Sequence, residues 1–150
     1  MQVLFISAAD EAGAMTPLPL GIACVAAATQ KAGHDVQLLA LPSKTEGEGR
    51  IRETIQQLCP DVIGISVRNI DDQNMNSPQF LLANIKNIVA VCRDASPASI
   101  VLGGAGYSIF PESVLAYLGA DMGIQGEGEA AFPALLSWIE DRIELLGGLG

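Results

Sequence analysis

The chain has 150 residues, a formal net charge of −9 at pH 7 and 49% hydrophobic residues, a profile that suits one domain with a buried core. The negative charge argues against nucleic acid and anionic membrane surfaces as partners, since both are bound through clustered Lys and Arg. No apolar run reaches the roughly 18 residues needed to span a bilayer, and Met1 leads into a strand-like run without the basic start of a signal peptide. We therefore expect a cytoplasmic protein.

Short β-rich runs alternate with amphipathic segments along the whole chain, which is typical of a parallel sheet flanked by helices. The predicted strands are Val3–Ile6, Val36–Leu41, Val62–Val67, Ser99–Leu102 and Asp121–Gln125. Five βα units with right-handed crossovers predict an α/β, flavodoxin-like (Rossmann-like) doubly wound sheet. We expect five parallel strands in the order 2-1-3-4-5, with helices on both faces.

Proline and glycine mark the ends of the predicted helices. The starting positions are Thr16-Pro17, Pro78, Pro111 and the turn before Glu129, with a further helix carrying Ile51, Ile55 and Leu58. Gly33 ends the first helix and Pro60 stops the second. The domain is predicted to span residues 1–142, and the Gly-rich residues 143–150 are expected to start a linker to a missing downstream domain.

The three cysteines and the single histidine limit the disulfides, metal sites and catalytic groups that the chain can form. Cys24, Cys59 and Cys92 are widely spaced and form no CxxC pair, so neither a disulfide framework nor a zinc site is expected. Each lies in an apolar helical pattern, which predicts three buried thiols. With one histidine, no Ser-His-Asp or Cys-His arrangement exists, so we expect this chain alone to bind rather than to catalyse.

Ligands of open α/β sheets bind beyond the carboxyl ends of the strands. The loop over residues 66–77 is long and polar, and the loops over 103–110 and 125–129 are glycine-rich. We expect the first of these loops to form the rim of a ligand site, although an exposed acidic loop is the alternative. The loop over residues 42–49 is expected to be peripheral.

Several common ligand sites are excluded by the residues after the predicted strands. After strand one the sequence is SAADEAGAM, which contains neither a GxGxxG dinucleotide fingerprint nor a hydroxyl-rich FMN phosphate loop. A P-loop, GxxxxGK[ST], is absent from the chain. A phospho-receiver domain would place Asp after strand three and Lys after strand five, where Ser66 and Gln125 stand.

Two glycine turns remain, GGAG at 103–106 and GEGE at 126–129. Glycines let a backbone approach a bulky ligand, and N–H groups near helix starts can bind it. Tight strand-to-helix turns explain the same residues without a ligand, and Glu127 and Glu129 also suit a helix N-terminus. If a ligand is bound, a branched side chain at Gly104 is expected to occupy space that the ligand needs.

Three stretches resemble the N-terminal cobalamin-binding domain of cobalamin-dependent radical S-adenosylmethionine proteins. They are PLPLGIACVAAATQKAGHDV, DVIGISVRN and IVLGGAGYSIFPESVLAYLGADMGIQGEGEAAFPALL. The resemblance implies that cobalamin is the cofactor and that its corrin lies over the carboxyl ends of the strands. The cofactor-binding positions that it implies are Ser66, Val67, Arg68, Gly103, Gly104, Ala105, Gly106, Gly126, Glu127 and Gly128.

The resemblance also implies a methyltransferase-type parent enzyme. Its [4Fe–4S] cluster and S-adenosylmethionine would be held by the downstream radical domain of the same chain, because no CxxxCxxC motif is present here. Many cobalamin proteins carry DxHxxG after strand one, but Asp10 is followed by Glu11-Ala12-Gly13. The one histidine, His34, is predicted at a turn at the opposite end of the sheet. A non-binding scaffold of the same fold and another nucleotide or flavin binder therefore stay open.

Overall fold

Five parallel strands form one sheet in the order β2-β1-β3-β4-β5, which confirms the predicted fold class. The structure is a computed structural model that describes residues 1–8, 19–41, 47–69 and 82–148. The strands are β1 (Gln2–Ser7), β2 (Asp35–Ala40), β3 (Val62–Ser66), β4 (Ser99–Gly103) and β5 (Met122–Gly123). The fifth strand is shorter than predicted, since its ladder with β4 covers two residue pairs.

Six helices are found within the described ranges. They are α1 (Leu20–Lys31), α2 (Gly47–Leu58), α3 (Leu82–Ala95), α4 (Ala105–Ile109), α5 (Pro111–Leu118) and α6 (Gly128–Gly147). The predicted helix starts at Thr16-Pro17 and at Pro78 lie outside the described residues. The short α4 occupies a segment that the sequence predicted as loop.

Side chains alternate between the two faces of the sheet and build a separate core on each side. On one face, Val3 and Phe5 of β1 pack with Ile22 of α1 and with Phe132 and Leu136 of α6. The opposite face packs against α2, α3 and α5. Helices therefore cover both faces, as predicted.

The cysteine prediction is wrong at two of three positions. Cys92 is buried, whereas Cys24 and Cys59 are exposed. The buried stripe of α1 runs through Ile22, Ala26 and Thr29, and Cys24 lies off it because neighbouring positions on a helix face different directions. Cys59 follows the end of α2 with a φ of 48°, so it leaves the buried face of that helix.

The last helix is longer than the sequence suggested. We expected a linker from residue 143, but α6 continues to Gly147. Ile143, Glu144, Leu145 and Leu146 carry no helix-breaking residue among them, and Arg142 lies 4.7 Å from the centre of the Trp138 ring one turn earlier. Within the described ranges, no helix combines the length and apolarity needed to cross a membrane.

Candidate functional site

A cleft of about 760 Å³ opens at the carboxyl ends of the strands, on the face that carries α1 and α6. Its walls are the first turns of α1 and α6 and the loops that follow β3, β4 and β5. This is where an open α/β sheet is expected to bind its ligand. The volume falls within the roughly 300–1,000 Å³ usual for small-molecule and cofactor sites.

The strand register explains which residues face the cleft. Ser66 of β3 pairs with Gly103 of β4, and Gly64 pairs with Val101 one step further into the sheet. Phe5 of β1 lies opposite Gly64. Because side chains two residues apart share a face, all five positions point toward α1 and α6.

The inner end of the cleft, formed by Phe5, Ile22, Gly64, Val101 and Phe132, is apolar and aromatic. The rings of Phe5 and Phe132 lie 4.8 Å apart with a tilt of 50°. A Cβ atom on Gly64 would be 2.6 Å from Cδ1 of Phe5, so only glycine lets this ring pack so closely against β3. The inner end is therefore a preformed apolar wall.

The outer end of the cleft, by contrast, is polar and rich in glycine. It is formed by Ser66, Arg68, Asn69, Gly103, Gly104, Ala105, Ser108, Gly126, Glu127, Gly128 and Glu129. Among the described residues that line the cleft, Arg68 is the single cation. The cleft thus has one apolar end between sheet and helices and one polar end at the edge of the sheet.

Eight of the ten predicted cofactor-binding residues line this cleft together. They are Ser66, Arg68, Gly103, Gly104, Ala105, Gly126, Glu127 and Gly128. Val67 and Gly106 are buried behind it and join two loops instead. The Val67 N–H donates to the Gly103 carbonyl at 2.7 Å, and the Val67 carbonyl accepts from the Gly106 N–H at 2.9 Å.

Gly104 holds the connection between β4 and α4 in a conformation that suits glycine. Its φ is +102°, and an added Cβ would be 2.6 Å from the Val67 carbonyl oxygen. The expectation that a branched side chain here would fill ligand space stays a prediction, but the structure adds an earlier obstacle. Such a side chain would first collide with the protein's own backbone.

Ser108 connects two walls of the cleft and was not predicted. Its hydroxyl oxygen accepts a hydrogen bond from the Gly126 N–H at 2.9 Å, and its carbonyl accepts one from Gln125 Nε2 at 3.3 Å. Gly126 has a φ of +84°, which favours glycine at this turn. These bonds fix the loop after β5 against the helix that follows β4.

The helices α1 and α6 approach each other closely beside the cleft. A Cβ atom on Gly128 would lie 2.9 Å from a methyl group of Val25, so glycine at this position permits the contact. The first turns of both helices line the cleft as a result. The first N–H groups of a helix have no partner within the helix, so they are available to an acceptor at this place.

The start of the long loop after β3 lies at the cleft, since Arg68 and Asn69 line it. The rest of the predicted loop, residues 70–77, lies outside the described residues. His34 is located at the opposite edge of the sheet, as expected, where its Nδ1 is 3.2 Å from the Met1 amine. Across the parts of the chain that the structure describes, no group of three or more His, Cys, Asp or Glu side chains could hold a metal ion.

Sequence reasoning identified the outer end of the cleft but missed the inner end. The signal was present in β3, where Gly64 interrupts an apolar run, because glycine inside a strand marks a close approach. Period-two alternation would then have placed Phe5 and Val101 on the same face. The packing of Ile22 and Phe132 depends on how α1 and α6 cross the sheet, which no local pattern encodes.

The chain belongs to the B12-binding domain family, whose model matches residues 12–136. The matched residues include the loops after β3, β4 and β5 that form the walls of the cleft. It supports cobalamin among the ligand classes that the sequence left open. Another nucleotide or flavin binder and a non-binding scaffold are not supported.

A curated protein similar to this chain is the tryptophan 2-C-methyltransferase of Streptomyces laurentii, which is 23% identical over 112 residues. This match covers 74% of the present chain and 19% of the relative. The radical S-adenosylmethionine methyltransferase TsrM of Kitasatospora setae, solved with cobalamin and a [4Fe–4S] cluster, superposes with a TM-score of 0.84 at 22% identity. That superposition covers 93% of this chain and 25% of the enzyme. The chain therefore spans only 19% to 25% of the length of these two methyltransferases.

The same fold occurs in proteins of other classes. The N-terminal domain of the nisin resistance regulator NsrR, a lantibiotic response regulator, matches with a TM-score of 0.54 at 16% identity, over 93% of this chain. Ser66 stands where a receiver domain would carry its acceptor Asp. The likeness to receivers is therefore one of architecture.

Proposed function

We propose that this chain binds cobalamin in the cleft at the carboxyl ends of its strands, as one domain of a radical S-adenosylmethionine enzyme of methyltransferase type. The observation that carries the proposal is the coincidence of three features at one place. The family match spans the loops concerned, eight predicted contact residues converge there, and the cleft has a glycine-rich rim.

The shape and chemistry of the cleft fit parts of cobalamin. Residues 103 and 104 are glycines without side chains at the rim of the cleft, which allows a broad ring system to approach the edge of the sheet. The apolar inner end suits a flat apolar group attached to that ring by a tether. Cobalamin, when bound, supplies the chemistry of carrying a methyl group between a donor and an acceptor.

The outer end can also accommodate the phosphodiester of the cobalamin tail. Arg68 brings a positive charge, and the first turn of α1 contains no acidic residue. The positive end of the α1 dipole and its N–H groups therefore favour an anion near Arg68. Glu129, in the first turn of α6, disfavours the anion on that side of the cleft.

We propose further that the [4Fe–4S] cluster and S-adenosylmethionine are held by a downstream domain of the natural protein. The chain spans only 19% of the curated methyltransferase and 25% of the solved enzyme with cobalamin bound. Its cysteines, Cys24, Cys59 and Cys92, are far apart in sequence and do not form a cluster motif. The residues of this chain would bind and orient cobalamin, and the substrate would meet it at the open edge of the sheet.

Equilibrium dialysis against hydroxocobalamin tests the proposal. Because Arg68 is expected to bind the tail phosphate, Arg68→Met should weaken binding about tenfold, the effect of one charge-assisted hydrogen bond. Arg68→Lys keeps the charge and should recover most of the affinity. Folded wild-type protein that retains no hydroxocobalamin would overturn the proposal, and equal binding by Arg68→Met would remove Arg68 from the site.

A further inference from the structure

Three donor atoms from different elements meet at the amino edge of the sheet, at the opposite end from the cleft. They are the Met1 amine nitrogen, Nδ1 of His34 and Oε1 of Glu140. The amine lies 3.2 Å from Nδ1 and 3.6 Å from Oε1, and Nδ1 lies 3.8 Å from Oε1. Met1 precedes β1, His34 belongs to the turn between α1 and β2, and Glu140 is on α6.

Hydrogen bonds alone do not explain the size of this triangle. The Met1 amine donates one to His34 Nδ1, but both separations from the Glu140 carboxylate exceed the roughly 2.7–3.2 Å of an N–H···O hydrogen bond. Ligand atoms that share a metal ion are farther apart, because bonds of about 2.0–2.2 Å around a tetrahedral centre separate them by about 3.4 Å. The point equidistant from these three atoms is about 2.1 Å from each, which matches the bonds of zinc to nitrogen and carboxylate oxygen.

We propose that these three atoms form a binding site for a divalent transition-metal ion of the zinc class. Two nitrogens and one carboxylate oxygen suit Zn²⁺ or Cu²⁺, whereas Mg²⁺ and Ca²⁺ prefer oxygen ligands. On binding, the Met1 ammonium releases one proton, and the lone pair of its nitrogen forms the bond to the metal. His34 binds through the lone pair of Nδ1 and keeps its proton on Nε2. The proposal concerns the chain with a free amine at Met1 and is independent of cobalamin binding.

Two of the three ligands are held in place by the fold itself. The Met1 and His34 side chains are 7% and 8% exposed, whereas Glu140 is 42% exposed and can adjust to the ion. The Met1 carbonyl accepts a hydrogen bond from the Asp35 N–H at 3.1 Å, and the His34 N–H donates to the Thr29 carbonyl at 3.4 Å. His34 also lines a polar cavity of about 580 Å³ at this edge, through which an ion and a water ligand can reach the site.

Calorimetric titration of the metal-free chain with zinc chloride tests the site. Because exposed thiols also bind zinc, Cys24 and Cys59 are first replaced by serine, and this background chain is used throughout. It should bind one Zn²⁺, and its thermal unfolding midpoint should rise with added zinc because the ion binds the folded state. A folded background chain that takes up no zinc would overturn the proposal and leave the cobalamin-binding function standing.

Glu140→Gln removes one ligand with little change of shape and should weaken zinc binding about tenfold. The matched control is Asp35→Asn, which removes an acid at the same edge whose carboxylate accepts a hydrogen bond from Gln2 Nε2. This control should bind zinc like the background chain. Acetylation of the Met1 amine should abolish binding, because an amide nitrogen has no lone pair available to a metal. Equal zinc affinity in Glu140→Gln and the background chain would show that Met1 and Glu140 form only an ion pair, and would overturn the proposal.

Discussion

Gly104 and Val67 approach so closely that a Cβ atom on Gly104 would lie 2.6 Å from the Val67 carbonyl oxygen. That carbonyl already accepts a hydrogen bond from the Gly106 N–H at 2.9 Å. The loops after β3 and β4 are thereby joined directly beneath the rim of the cleft. Glycine at position 104 is needed by the fold whether or not a ligand is present.

A paired substitution separates this contact from backbone strain alone. Gly104 and Gly33 have nearly equal φ angles of +102° and +101°, but an added Cβ on Gly33 would meet nothing within 4 Å. Alanine at either position should cost about 1–3 kcal/mol of strain, and Gly104→Ala should cost more because of the clash. Urea unfolding measures both. Equal losses would show that the Val67 contact is unimportant.

The three cysteines should separate into two classes toward a thiol reagent. Burial raises the pKa of Cys92 to about 12, whereas Cys24 and Cys59 are exposed. The thiolate is the reactive form, so Cys92 should resist modification in the native protein. Ellman's reagent should report two thiols at once and the third only after denaturant is added. Three thiols that react at one rate would contradict the burial of Cys92.

Asp121 joins three elements, and its contribution to stability should depend on pH. Its carboxylate accepts hydrogen bonds from Arg93 Nη1 at 3.0 Å and from the Ile100 N–H at 2.8 Å. Partial burial acts to raise the pKa of Asp121, but these bonds outweigh it and hold the pKa below the ordinary 3.8. A depressed carboxylate pKa stabilises the fold above the unfolded value, and the stabilisation is lost as the pH falls through the folded pKa.

Asp121→Asn should therefore lower the free energy of unfolding by about 1–2 kcal/mol near pH 7, a range kept small by solvent screening of the half-exposed pair. The difference in free energy of unfolding between wild type and Asp121→Asn should stay constant down to about pH 5 and shrink below about pH 4. Asp94→Asn is the control, since Asp94 is 70% exposed in its pair with Arg52. A difference between wild type and Asp121→Asn that grows as the pH falls would contradict this account.

The features of the fold and of the cleft that could be predicted from the sequence are those that a local sequence pattern encodes. The alternation of strands and helices predicted the sheet order, and glycines 103, 104, 126 and 128 pointed to the outer end of the cleft. The close contact of Gly128 with Val25 was beyond sequence reasoning, because it joins α1 to α6 across a hundred residues of chain. The short α4 was missed because Gly106 is a poor helix former, and its bond to the Val67 carbonyl overrides that propensity.

His34→Ala should leave the visible spectrum of bound cobalamin unchanged. His34 is the only histidine in the chain, and it lies beside the Met1 amine, 3.2 Å away, at the amino edge of the sheet. Since the cleft opens at the other edge, His34 cannot reach a corrin bound there. The substitution should affect stability alone, through the loss of the contact with Met1. A shifted absorption band would show that the ligand site has been assigned to the wrong edge.

The most direct test of the account is hydroxocobalamin binding by Gly103→Val. Gly103 lines the cleft, yet the nearest described atom to an added Cβ is the Ile124 carbonyl oxygen at 4.0 Å, so the fold should accept the side chain. The wild-type chain should bind one equivalent, and Gly103→Val should bind at least tenfold more weakly with an unchanged unfolding midpoint. Gly49→Val, in α2 and away from the cleft, should bind like wild type. Wild-type affinity in folded Gly103→Val would contradict the central claim that cobalamin occupies this cleft.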